Sequence, residues 1–253
     1  MFKKVREFYL LFNKVNFNSK ITLMWLILFP LLMAILYNMK FLSEKPSESV
    51  FLMYFGGYIA LIIILTAFNV CTNIIQMREQ GFLKRFFFIT GSKLPIIIGL
   101  FLSFFTIAIL SVSTFTIFSS ILFLGSTHLT LKFWLLGVVL LLVSFIPITF
   151  LCLFLLILPI KQESLITFAN IIMFLLFMTS FNNSLSIDVP AYISLINPVN
   201  VVLNLENYLM SVLFQNDFNY INMYFTILLL GVYLTIGVYS YKSFKITAIN
   251  SRS

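Results

Sequence analysis

The strongest constraint in this chain is where its charges are missing. Between Lys20 and Lys40, Glu48 and Arg78, Lys93 and Lys132, Lys132 and Lys161, Glu163 and Asp188, and Asp217 and Lys242 there is no Asp, Glu, Lys or Arg. Each interval can hold a helix of roughly 20 residues, the length that crosses a hydrocarbon core about 30 Å thick. Lipid offers no partner to peptide N–H and C=O groups, so such runs must satisfy themselves as helices. The expectation is an all-α polytopic membrane protein with six transmembrane helices, at about 21–41, 51–76, 96–124, 133–159, 165–182 and 220–241. Composition agrees, because 61% hydrophobic and 9% charged residues cannot clothe a water-soluble surface.

The basic residues orient these runs. With both termini cytoplasmic, thirteen of the sixteen Lys and Arg residues fall on the inner side, from Lys3, Lys4 and Arg6 through Arg78, Lys84, Arg85 and Lys93 to Lys161, Lys242 and Lys245. Only Lys40, Lys45 and Lys132 fall outside, a bias that fixes the topology. The net charge of +8 is then a cytoplasmic charge, suited to anionic membrane lipids and an acidic protein partner and not to nucleic acid. Trp25, Trp134, Tyr239 and Tyr241 fall at interface depths.

Residues 1–20 place Phe2, Val5, Phe8, Tyr9, Phe12 and Val15 at helical spacing with basic residues between them, the pattern of an amphipathic helix in the cytoplasmic interface. A full-length apolar run follows without a small-residue cleavage site, so the segment reads as mature structure and not as a signal peptide. Cys71 and Cys152 fall inside expected spans and His128 in a short outer loop, which leaves no metal-ligand cluster and no catalytic residue. Gly91-Ser92-Lys93 imitates the end of a phosphate-binding loop, but Phe86 stands where the earlier glycine is required. No ionisable residue falls within an expected span, where ion-coupled carriers keep one. A chain with no engine of its own is driven by a partner or works passively.

The loop at 78–95 is the exception to this silence. A loop that only reverses the chain is short and polar, whereas Arg78-Glu79-Gln80-Gly81-Phe82-Leu83-Lys84-Arg85-Phe86 mixes charge with large apolar groups, then closes on Thr90, Gly91 and Pro95. That mixture suits a short amphipathic helix docked on another protein, with Pro95 in the first turn of the next span, where its missing N–H costs nothing. Here the chain resembles the membrane subunits of ABC-2 type transporters, whose loop reads Arg-Glu-x-Gly-Thr-Leu-Lys-Arg. Arg78, Glu79, Gly81, Leu83, Lys84 and Arg85 match, while Phe82 replaces Thr or Ser and Gly91 stands where Pro is common. Asn197-Pro198-Val199 resembles the family's Asn-Pro-Leu element.

The resemblance implies a transmembrane domain over 21–253, in which 78–95 carries a coupling helix and 183–219 forms outer re-entrant or interfacial helices before span six. It implies a permease in the cell membrane, paired with a second copy or a homologous permease and driven by two cytoplasmic ATPase subunits that hold the ATP and Mg2+. This chain would bind no cofactor of its own. Glu79, Lys84 and Arg85 would give polar contacts to the ATPase and Phe82, Leu83 and Phe86 apolar ones, with a second inner contact from Lys161 and Glu163. Thr66, Asn69, Asn73 and Gln76 recur on one helical face, echoed by Thr167 and Asn170, and mark a pathway or a helix interface. Asn197 and Pro198 would belong to an outer gate. A route without fixed charge suits export of a hydrophobic or amphipathic substrate such as a peptide, an antibiotic or a lipid-like compound. The rival expectation is a passive channel, or an immunity protein that sequesters a toxin without ATP.

Overall fold

A computed structural model describes residues 1–125, 127–158, 164, 167–168, 171–172, 175–176, 196–214 and 223–246. Every regular element among them is helical: α1 (Phe2–Asn18), α2 (Lys20–Tyr37), α3 (Lys40–Ser43), α4 (Glu48–Glu79), α5 (Phe82–Thr90), α6 (Leu94–Ser119), α7 (Thr127–Cys152), α8 (Pro198–Phe214) and α9 (Met223–Ser243). A π-helical turn, Ser120–Leu124, extends α6, and a 3₁₀ turn, Leu153–Leu156, extends α7.

Four helical stretches are long and apolar enough to cross a membrane: Val50–Glu79, Leu94–Leu124, Thr130–Leu156 and Met223–Ser243. A fifth candidate consists of α1 and α2 together, bent by 63° where they meet. The six-span expectation is thus met as four or five, because 165–182 lies largely outside the described residues. The first expected span, 21–41, is also cut short. Asn38 ends α2 by turning its Nδ2 back to the Ala34 carbonyl at 2.9 Å and to the Tyr58 hydroxyl at 2.8 Å.

Successive long helices reverse direction, which separates the charges. One end of the bundle gathers Lys4, Lys84, Arg85, Lys93 and Lys242, the other Lys40, Glu44, Lys45, Glu48 and Lys132. At the basic end the Lys93 ammonium donates to the Phe244 carbonyl at 3.0 Å and stands 4.3 Å from that ring's centre, so a cation neutralises the carbonyl end of α9.

The central helix is α4, packed against α2, α6, α7 and α8. Phe51, Phe55, Phe115 and Phe133 interlock around its N-terminal half, with ring centres 5.3 Å apart for Phe51 and Phe133 and 5.8 Å for Phe55 and Phe115. Such pairs contribute about 0.5–1.5 kcal/mol each beyond area. Leu28, Leu32 and Leu36 on α2 and Leu135, Leu142 and Ile146 on α7 remain exposed, as lipid-facing residues should.

The first helix forms over Phe2–Asn18. It lies across α6 and buries only Phe8 and Phe12, leaving Phe2 and Val15 exposed. Its contact face is partly polar: the Ser103 hydroxyl donates to Asn13 Oδ1 at 2.8 Å and accepts from Asn16 Nδ2 at 2.9 Å. Part of this face is thus taken by α6, while Phe2, Leu10, Val15 and Phe17 stay exposed. Gly99 permits the approach, since a Cβ there would come within 2.6 Å of Phe8 Cβ and 3.0 Å of the Tyr9 nitrogen. A leucine at Gly99 is expected to cost about 1–3 kcal/mol of overpacking and to lift α1 away. Limited trypsin digestion in detergent checks this, with faster cleavage at Lys14 in Gly99→Leu as the expected result.

Candidate functional site

Two glycines define the expected coupling segment. Gly81 and Gly91 have φ of 75° and 71°, left-handed values that glycine adopts without penalty, and between them the chain closes the nine-residue helix α5. Thr90 Oγ1 donates back to the Phe86 carbonyl at 2.9 Å, and Gly91 N–H to Phe87 at 2.7 Å. Proline, with φ near −65°, cannot occupy position 91 in this conformation. Pro95 sits in the first turn of α6, as expected.

The helix divides the matching residues into two groups. Leu83 is fully buried, and Phe86 packs on Phe8 and Phe12 with centroid distances of 5.3 and 6.5 Å. Arg78 is also turned inward, where it donates to the Leu156 carbonyl at 3.0 Å and ties α4 to the end of the α7 extension. These three hold the segment in place within the bundle. Glu79, Phe82, Lys84 and Arg85 are exposed, and so are Phe88 at 73% and Ile89 at 74%. Sequence reasoning did not separate Phe88 and Ile89 from the other apolar residues of the loop, because only the helical phase set by Gly81 says which face outward. Lys84 and Arg85 lie 5.9 and 5.7 Å from the Phe88 and Phe82 ring centres, which makes one mixed cationic and aromatic surface. The Lys4 ammonium caps the segment, donating to the Thr90 carbonyl at 3.0 Å.

The polar stripe on α4 forms as spaced, but its donors are satisfied within the helix. Thr66 Oγ1 donates to Ile62 at 2.7 Å, Asn69 Nδ2 to Leu65 at 2.8 Å and Asn73 Nδ2 to Asn69 at 2.9 Å. Thr66 is buried, while Asn69, Asn73 and Gln76 are half-buried. Thr167 is exposed, and Lys161, Glu163 and Asn170 lie outside the described residues. No cluster of His, Cys, Asp or Glu suited to a metal occurs among the described residues. Both cysteines are free and buried.

Asn197 and Pro198 open α8, and their chemistry explains the dipeptide. Asn197 is the N-cap: its Oδ1 accepts from Val199 N–H at 2.9 Å and its carbonyl accepts from Val201 N–H at 3.0 Å, while Pro198 fills the first helical position. Asn197 Nδ2 then donates to the Leu176 carbonyl at 2.9 Å. The start of α8 stands beside the middle of α9, where the Tyr233 hydroxyl donates to the Ile196 carbonyl at 2.6 Å. Further along, Asn204 Nδ2 donates to Thr226 Oγ1 at 2.5 Å, so α8 runs antiparallel to α9 towards the end that carries Glu48 and Lys132. The helix is thus docked within the bundle and does not lie across its mouth. Asn197 and Pro198 line an apolar cavity of about 610 Å³ together with Phe68, Ile148, Cys152 and Tyr233. The amide stripe of α4 does not line it.

The same docking places one carboxyl where none was expected. Glu206, two turns into α8, is 1% exposed and seats its Oε2 at Gly56 of α4. The hydropathy count missed it because α8 is too polar to pass as a span, yet Val201, Val202, Leu205 and Met210 around it carry it into the bundle. Burial pushes the Glu206 carboxyl well above the usual carboxylate range.

These features define a polytopic α-helical bundle with a presented amphipathic helix at its basic end. No family model, curated protein or solved structure matches the chain.

The Asn197 assignment predicts that Asn197→Ala loses both the cap and the tether to Leu176, about 1–2 kcal/mol in all. The thermal unfolding midpoint in detergent should fall by several degrees, at about 2–4 °C per kcal/mol for a chain of this size. Asn197→Ser, which can still cap, should recover part of the loss.

Proposed function

We propose that this chain is the permease subunit of an ATP-driven exporter of the ABC-2 type. It sits in the cell membrane with both termini cytoplasmic, pairs with a second permease and is powered by two copies of a separate ATPase that binds ATP and Mg2+. The observation that carries the reading is α5, a helix set between two left-handed glycines at the basic end with Glu79, Phe82, Lys84, Arg85, Phe88 and Ile89 exposed around it. A solvent-facing loop would not keep Phe88 and Ile89 outward, and a purely lipid-facing one would not interleave two cations with them. Support also comes from the positive-inside count, which puts this surface in the cytoplasm.

In this mechanism the chain catalyses nothing itself. ATP closes the ATPase pair, and the membrane domain responds to the extent that α5 binds the two ATPase states differently. Leu83, Phe86 and Arg78 make α5 move with α1, α4 and α7 and not alone. The exported substrate is hydrophobic or amphipathic, in keeping with walls of Phe, Leu and Ile and the apolar cavity. The amides of the α4 stripe bear on the route through their half-buried faces.

Two measurements test this. The unaltered chain, purified in mild detergent, should bring down an ATPase in equal amount, with hydrolysis stimulated by amphipathic compounds. Lys84→Glu combined with Phe88→Ser should abolish that copurification and lower stimulated hydrolysis at least tenfold without changing thermal stability, since both side chains are exposed. Leu83→Ala should do the reverse, costing about 2–5 kcal/mol of stability. A chain that purifies stably with no ATPase would return the reading to a passive channel or immunity protein. In the transporter, Asn69→Trp should impair export before it impairs assembly, read by substrate efflux from cells against the yield of intact complex.

A further inference from the structure

Glu206 combines three properties that packing alone does not explain. Its side chain is 1% exposed, its Oε1 has no hydrogen-bond partner, and its Oε2 occupies the space a side chain at Gly56 would take. A methyl group on Gly56 would coincide with the carboxyl oxygen, so the notch on α4 is shaped by the absence of a Cβ. A carboxylate with a vacant oxygen in such a place lacks the partners that burial of a charge requires, whereas a neutral carboxylic acid meets the cost of an ordinary polar group.

The geometry points to Glu206 as a proton-binding site that latches α8 onto α4: the protonated acid seats in the Gly56 notch, and loss of the proton releases the helix. Opening breaks the O–H bond, passes the proton to water at the outer rim and leaves a hydrated carboxylate on α8. Among the described residues, the helices packed most closely on α8 are α4, α7 and α9. Their charged residues are Glu48, Arg78, Glu79, Lys132 and Lys242, and their buried phenols include Tyr58 and Tyr233. None of these acts on the carboxyl: burial raises its pKa, and a hydrogen bond from the Gly56 backbone opposes that more weakly.

The sign follows from the linkage of docking to protonation. The docked helix holds its proton more tightly than the undocked one, so docking is fully favoured below the ordinary glutamate pKa of about 4.3. Between that value and the raised docked pKa, the ratio of undocked to docked helix grows about tenfold per pH unit. Above the docked pKa it reaches its ceiling. The latch needs no ATPase and stands or falls independently of the exporter reading.

The test places a single cysteine in the full chain, with Cys71 and Cys152 replaced by alanine, and measures thiol labelling against pH in liposomes. Val202→Cys reports undocking because Val202 is buried one turn from Glu206 on the same face, and Val212→Cys, already exposed, corrects for thiol ionisation. The Val202 to Val212 labelling ratio should climb about tenfold per pH unit over part of the range while Glu206 is present. In Glu206→Gln, a neutral side chain of the same shape, it should stay low and flat; in Gly56→Ala it should be high throughout. A ratio independent of pH with Glu206 in place, or a climb that persists in Glu206→Gln, overturns the inference. Infrared spectra of the cysteine-unaltered chain, taken at a pH where Val202 is still protected, give a second reading: the absorption of a buried protonated carboxyl should vanish in Glu206→Gln, and identical spectra would refute the site.

Discussion

The structure rests on one constraint, that a polar group placed at membrane depth must find its partner inside the chain. Water is absent there, and an unsatisfied group costs several kcal/mol. The chain meets the constraint mostly within single helices. Thr116 and Thr149 turn their hydroxyls to the carbonyls of Val112 and Phe145, just as Thr66 does to Ile62. Partners across helices are used where two elements must be held in register, as Trp134 Nε1 does with Ser113 Oγ at 2.9 Å and as Asn204 does with Thr226. Glu206 is the case in which the partner is incomplete, and a proton takes its place.

At the basic end the same economy produces the presented helix. Left-handed glycines at 81 and 91 stop α4 and α5 within one residue, and the loose ends are closed by Thr90 Oγ1, by Lys4 and by Arg78. Three aromatic residues, Phe8, Phe12 and Phe86, then join α1 to α5. With its inner face consumed in this way, α5 has one surface left over, and that surface is the cationic and aromatic one.

The gaps between charges made the long helices legible, since roughly 20 uncharged residues admit few other structures. Pro95 in α6 and Gly91 at the end of α5 also announced themselves through local chemistry. What could not be read was the facing of each residue. Leu83 and Phe88 are both large and apolar in one short loop, yet one is buried and the other open, and only the phase of α5 against α1 decides between them. The burial of Glu206 could not be read because hydropathy judges a helix by its own composition. Its burial depends on the notch that Gly56 offers from a helix some 150 residues earlier. The 63° bend between α1 and α2 was hidden for a similar reason, as it follows from Asn13 and Asn16 finding Ser103 on α6.

How firmly α8 is held follows from where it sits. In water, burying Val199, Val202 and Leu205 would bring a large hydrophobic gain, but lipid tails are as apolar as leucine, so these residues gain close packing and little else on docking. The polar ties therefore decide the equilibrium to an unusual degree. Interhelical hydrogen bonds in membranes average about 0.6 kcal/mol, so the ties through Asn197, Asn204 and Tyr233 supply about 2 kcal/mol together. A tie of that size is within reach of a modest differential interaction. A buried ionisable group acting on a helix held so lightly is enough to move it. Because α4 is a single helix of 32 residues, a shift at the Gly56 notch and a shift at Glu79, just before Gly81, are displacements of one helix about 48 Å long. The Glu206 seat and the presented helix α5 thus share the element on which any coupling between them would have to act.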